Sequence, residues 1–296
     1  MPLSVVFFLS TPERIPEGNL GRQAQAWFLR TVSEHISPEL ARRLHQEDDL
    51  RAYTVSDLFE RSWHAHSLSA EAPHSRCALR FTFLDEALAE TMQAFLEKSP
   101  PRQVEIWWLK LRVEGFTWHN REHPWAGSDS YANLAGPADA AATSGALLHF
   151  ASPTSFHSEG VDLPLPLPGM VFRSVWRKWN AFSGLPILDD WLGVADRGLQ
   201  IARIEDLNTW RWKFAEGGRG AVTGFVGNVR FGLVEESCAR LGIDPRDARE
   251  VLQTLARFAF YSGIGRKTSW GLGQVRPVSA DMDLATQERG KNHAAD

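Results

Sequence analysis

The chain has 296 residues, of which 43% are hydrophobic and 23% charged, with a formal net charge of −4. That composition belongs to a globular protein of one large or two ordinary domains, and the near-neutral balance excludes a uniformly basic coat, so a nucleic-acid site has to be a local patch. Two cysteines, Cys77 and Cys238, exclude a disulfide framework or a self-contained zinc site and read as reduced structural thiols, and no stretch reaches membrane-spanning length.

Leu3 to Leu9 reads as a strand. It lacks the basic leader and cleavage-like segment of an export signal, so a cytoplasmic protein without a membrane partner is expected. Leu20, Ala24, Trp27, Phe28 and Val32 then recur at helical spacing. Ser37-Pro38 is an N-cap followed by Pro at the first position of a short helix that ends near His45. Extended segments are expected at Ala52 to Leu58 and at Leu79 to Leu84, where Leu79, Phe81 and Phe83 share one face. A helix over Asp85 to Lys98 and one long strand over Val104 to Val113 complete a β-α-β-β-α-β order. The second half repeats it. A strand is expected at Ala146 to Phe150 and a helix at Met170 to Phe182, followed by strands at Leu199 to Phe214 and Gly220 to Leu233. A helix from Asp244 to Tyr261, begun by Asp244-Pro245, and a last strand from Gly273 to Pro277 close the repeat.

The order predicts an α+β fold of two tandem ferredoxin-like domains, the topology also used by four-stranded RNA-recognition modules. The expected division is 1–126, a small and polar connector over 127–144, a second domain over 145–280, and a polar tail over 281–296.

The segment Gly263-Ile-Gly-Arg-Lys-Thr-Ser-Trp-Gly-Leu-Gly-Gln-Val275 places Gly263, Gly265, Gly271 and Gly273 around the adjacent cations Arg266 and Lys267. Glycines let backbone N–H groups approach an anion, and the two cations add charge. The run follows a helix and enters a strand, the reverse of a dinucleotide fingerprint, and its lysine misses the P-loop spacing. A turn serving chain geometry alone is the competing explanation.

Several motifs in order resemble the CRISPR-associated endoribonucleases that cut the repeats of precursor guide RNA, members of the RAMP superfamily. They are Pro38-Glu-Leu-Ala-Arg-Arg-Leu-His45 with Tyr53-Thr-Val-Ser-Asp-Leu58, Phe150-Ala-Ser-Pro-Thr-Ser-Phe156, Val171-Phe-Arg-Ser-Val-Trp-Arg-Lys-Trp179, Gly224-Phe-Val-Gly227 and the glycine loop. The resemblance implies repeat RNA as partner, other subunits of a guide-RNA effector complex as further partners, and cleavage without a metal or cofactor. It puts His45 at the active-site histidine and Arg51 where some relatives carry a catalytic lysine. His35, in the turn between the first two helices, is the second candidate.

The chain also departs from the pattern. Gln23 and Gln25 stand where many relatives place a helix histidine, and Arg30 where others place a tyrosine base. Histidine suits proton transfer because its unperturbed pKa is about 6.5, whereas glutamine transfers none at neutral pH. The departure leaves open a repeat-binding protein that does not cut. Arg173, Arg177 and Lys178 on one predicted helix, and Arg230, Arg211 and Lys213 on predicted strands, are the other candidate RNA contacts, with solvated faces as the alternative. The twelve tryptophans are read mainly as core, and the His64/His66 pair as a strand face without partners.

Overall fold

The computed structural model describes residues 1–16, 18–46, 50–60, 75–137, 145–214 and 220–278. The His64/His66 pair and the tail from 281 lie outside the described residues. In the first half, β1 (Leu3–Thr11) leads to α1 (Gly21–His35) and α2 (Pro38–Gln46), then to β2 (Tyr53–Val55), β3 (Phe59–Glu60) and β4 (Ser75–Phe83). After these come α3 (Glu86–Lys98), β5 (Gln103–Ile106) and β6 (Leu109–Thr117). The path β2-β4-β1-β6-β5 is antiparallel throughout, which is the ferredoxin-like order with β5 added at the edge. Ser37 caps α2 as expected, its Oγ accepting from Leu40 N (3.2 Å), and Asp85 caps α3 by accepting from Leu88 N (2.9 Å).

One expected strand is two. Val104–Val113 is split by a tight turn at Trp107-Trp108, with Trp107 at φ 62. The inward residues change parity there, from Val104 and Ile106 to Leu109 and Leu111, as a two-residue hairpin requires and a continuous strand forbids.

Residues 127–134 do more than connect. β7 (Gly127–Ser128) pairs with Leu3 and Ser4 of β1, and α4 (Tyr131–Leu134) is capped by Ser130 and buries Tyr131 and Leu134. The second half comprises β8 (Gly145–Thr154), a small hairpin of β9 (Phe156–Ser158) and β10 (Val161–Leu163), α5 (Pro168–Phe182), α6 (Trp191–Arg197), β11 (Leu199–Lys213), β12 (Ala221–Leu233), α7 (Glu235–Arg240), α8 (Pro245–Ser262) and β13 (Val275–Pro277). Its sheet, β11-β12-β8-β13, has the ferredoxin-like order again. Each half has its own core: Phe7, Trp27, Phe28, Phe81 and Phe83 in the first, and Phe150, Phe172, Trp179, Phe231 and Phe258 in the second.

The halves meet at the end of α8. A helix leaves its last four carbonyls without intrahelical donors. Here Gly263 N takes Ala259 O (2.9 Å), Arg80 Nη2 takes Phe260 O (2.6 Å), Thr82 Oγ1 takes Tyr261 O (2.7 Å), and Lys178 Nζ takes Ser262 O (2.5 Å). Arg80 and Thr82 come from β4 of the first domain. Arg80 is 1% exposed and also donates to Ser4 Oγ, Trp125 O and Gln274 Oε1, with its guanidinium against the rings of Phe260 and Trp125 (4.4 and 5.1 Å). No carboxylate among the described residues neutralises it. Burial pulls its pKa down to about 9, so it stays charged at neutral pH. Arg80→Met is expected to lower unfolding free energy by about 3 kcal/mol or more, because it strands several buried acceptors at once; chemical denaturation measures this, and a loss under about 1 kcal/mol would refute the assignment.

Candidate functional site

The start of α1 is assembled from both domains. Leu20 N donates to Asp57 Oδ1 (2.9 Å) and Gly21 N to Asn19 Oδ1 (2.9 Å), while Asn19 N donates to Lys213 O (3.1 Å) at the end of β11. Asp57 also accepts from Leu58 N, and burial outweighs these amides to push its pKa up to about 7. Gly21 lies so close to the glycine loop that a Cβ would come within 2.3 Å of the Trp270 carbonyl. Over the Trp270 ring lie Arg22 of the first domain (5.2 Å) and Lys267 of the second (4.5 Å). Burial, then Arg266, lowers the Lys267 pKa.

One turn further along α1, Gln25 is buried and donates to Tyr53 Oη (2.7 Å). Arg51 Nη1 donates to the same oxygen (2.9 Å) and reaches Leu44 O (3.5 Å), in the last turn of α2. His45, the next residue, is exposed. Residues 22 and 25 are three apart on one helix and so are neighbours on its surface. Arg51 thus lies between the end of α2 and the Gln25 face of α1, a turn from Arg22, which shares the Trp270 ring with Lys267. His35 ends α1 with its ring stacked on that of Phe95 (6.0 Å). Arg30 is ion-paired with Glu105 (3.1 Å).

The glycine loop binds protein with most of its amides. Ile264 N donates to Gly273 O, Gly265 N to Ser174 Oγ, Arg266 N to Ser155 O, Gly271 N to Val55 O and Gly273 N to Pro153 O, all at 2.9 to 3.1 Å. These amides are therefore not available to cradle a phosphate, and the glycines serve close packing. At Gly273, φ is 66 and a Cβ would meet Ile264 O at 2.0 Å. The loop's cationic side chains are Arg266, paired with Asp162 and with His157 Nδ1 (3.2 Å), and Lys267, over the Trp270 ring.

Residues 1–135 match the sequence profile of the CRISPR Cas6 N-terminal domain, and residues 148–275 match that of the CRISPR-associated endoribonuclease Cas6. The chain belongs to the Cas6 family. Members of that family are endoribonucleases of CRISPR repeat RNA. Among solved structures, a Thermus thermophilus Cas6 product complex shares 28% identity over 94% of this chain and 100% of its own, with a TM-score of 0.75. A second structure of a Thermus thermophilus Cas6 shares 26% over 94% of this chain and 98% of its own, with a TM-score of 0.68. A Cas6-related protein of Pyrococcus furiosus shares the fold at 12% identity, over 95% and 100%, with a TM-score of 0.58. No curated protein sequence matches. No described helix is long and apolar enough to cross a membrane.

Set on this Cas6 fold, the remaining cations divide. Lys178 is a correction: it is not a phosphate contact of the α5 surface but is 6% exposed, capping Ser262 O and donating to Thr268 Oγ1 (3.1 Å) beneath the glycine loop. Its neighbours five and one residues away, Arg173 and Arg177, are exposed, Arg173 in an ion pair with Asp196 (2.8 Å). Arg230 is half-buried in β12, opposite Arg203 of β11 and Leu147 of β8. Sequence reasoning passed over Arg22, Tyr53 and Trp270. A cation in the first turn of a helix opposes the macrodipole, and that cost at Arg22 was the legible signal.

Burial lowers the Lys178 pKa to about 7. A lysine whose folded pKa is depressed destabilises fully below that pKa and is relieved as pH rises toward its unfolded value. Between pH 7 and 9 the wild type should therefore gain stability relative to Lys178→Met, by up to about 1.4 kcal/mol per pH unit. Parallel denaturation curves for the two proteins over this range would exclude the buried ammonium.

Proposed function

We propose that this chain cuts CRISPR repeat RNA at the face built from α1, the end of α2 and the glycine loop, without a metal ion. The observation supporting this reading is that Arg51 links the end of α2, where His45 is exposed, to the α1 face whose Arg22 shares the Trp270 ring with Lys267 of the other domain. The 2′-hydroxyl beside the scissile bond loses its proton and attacks phosphorus in line. The O2′–P bond forms as the P–O5′ bond breaks, and the 5′-oxygen takes up a proton, leaving a 2′,3′-cyclic phosphate and a 5′-hydroxyl. His45 performs one of the two proton transfers, and water serves the other. Arg51, which can bring charge but no base, is held by Tyr53 toward the phosphorane, with Arg22 and Lys267 completing the positive field. The product stays bound, which suits a subunit that hands guide RNA to an effector complex.

A non-cutting repeat-binding protein is the second reading, favoured by Gln25: it occupies the expected histidine position with its amide committed to Tyr53. Incubation of candidate repeat RNAs in EDTA separates the two. One cut with a cyclic phosphate end is expected, slowed about 100-fold to 10,000-fold in His45→Ala with binding intact. Tight binding with no cut would support the second reading.

Binding also has an electrostatic signature. Lys267→Ala should weaken repeat RNA and reduce the slope of log affinity against log salt by about 0.7 to 0.9 for its one phosphate contact. An unchanged slope in a salt titration would remove Lys267 from the RNA face.

A further inference from the structure

Trp210 and Trp212 alternate onto one face of β11, their rings 6.3 Å apart and within 23° of parallel. Trp210 is 39% exposed, and the residue paired with it across the sheet is Gly224, which has no side chain to cover an indole. Phe214, two residues beyond Trp212, meets Trp270 edge-on at 5.7 Å. Three rings, Trp210, Trp212 and Phe214, thus lead along β11 and just past its end to the Trp270 indole that carries Arg22 and Lys267. The Trp212 indole N–H is buried and has no hydrogen-bond partner among the described residues. Arg211 and Lys213, exposed, alternate with the tryptophans. An apolar core does not explain the exposure, and a row of rings that ends on Arg22 and Lys267, with Arg211 and Lys213 on the other face of the strand, has the chemistry of a single-stranded nucleic-acid path.

We propose that Trp210 and Trp212 form a stacking platform for unpaired nucleotides of the RNA, continuous with the cutting face. The inference rests on the proposed function for which polyanion occupies that face. Every base has a π-face, so the platform tolerates sequence, and Arg22 and Lys267 at its end meet the phosphates.

The test compares a labelled short oligoadenylate with an abasic ribose-phosphate oligomer of equal length and charge. Trp210→Ala with Trp212→Ala should weaken the oligoadenylate about tenfold or more, leave the abasic oligomer unchanged and leave the salt slope unchanged. Thermal melts check folding. Two single variants guard against collapse of the double: Trp210→Phe should keep most of the affinity and Trp210→Leu should lose it. Equal weakening of both oligomers, no weakening, or full affinity in Trp210→Leu would overturn the platform. A chain that binds oligoadenylate through these tryptophans yet leaves repeat RNA uncut keeps the platform and loses the cutting reading. A chain that cuts repeat RNA but binds both oligomers alike does the reverse.

Discussion

The end of α8 is the constraint around which the molecule is arranged. Four carbonyls point out of its last turn, and two of the four donors come from β4 of the other domain. Placing the cations Arg80 and Lys178 at a helix C-terminus also answers the negative end of its dipole. A buried guanidinium without a carboxylate is costly in itself. Its donors are matched to backbone and amide acceptors on both sides of the junction, and this makes a single docking of the two domains far better than any slipped one.

From that junction the glycine loop follows directly. It leaves α8 at Gly263, is supported from below by Lys178 on Thr268, and lies against Val55, Pro153 and Ser155 before entering β13. Lys267 and Trp270 reach the start of α1 only because these contacts fix the loop. The face proposed to cut RNA is thus a property of the pair of domains, with histidine and two arginines supplied by one and lysine and indole by the other.

Much of the architecture was legible in periodicity and caps. The Ser37-Pro38 and Asp244-Pro245 starts, the inward stripe of α8 and the doubled βαββαβ order needed only local chemistry. The hairpin at Trp107-Trp108 was written in the parity of Val104, Ile106, Leu109 and Leu111, though two tryptophans are poor turn residues and hid it. At the candidate site, His45 and Arg51 rest on motif resemblance. Lys178 was not, because a lysine between Arg177 and Trp179 looks like helix surface until the far end of α8 is placed above it. Long-range partners of this kind leave no trace in spacing.

A loop whose amides already hold carbonyls at 2.9 to 3.1 Å has little freedom left to lose when a ligand arrives. Ordering costs on the protein side are small, and such pre-organised surfaces convert contacts into affinity efficiently. The conformational adjustment then falls to the nucleic acid. A strand that bends or unpairs easily will fit at low cost, while a stiff one will be rejected with the same contacts on offer. Discrimination of this kind reads the deformability of the RNA rather than its letters.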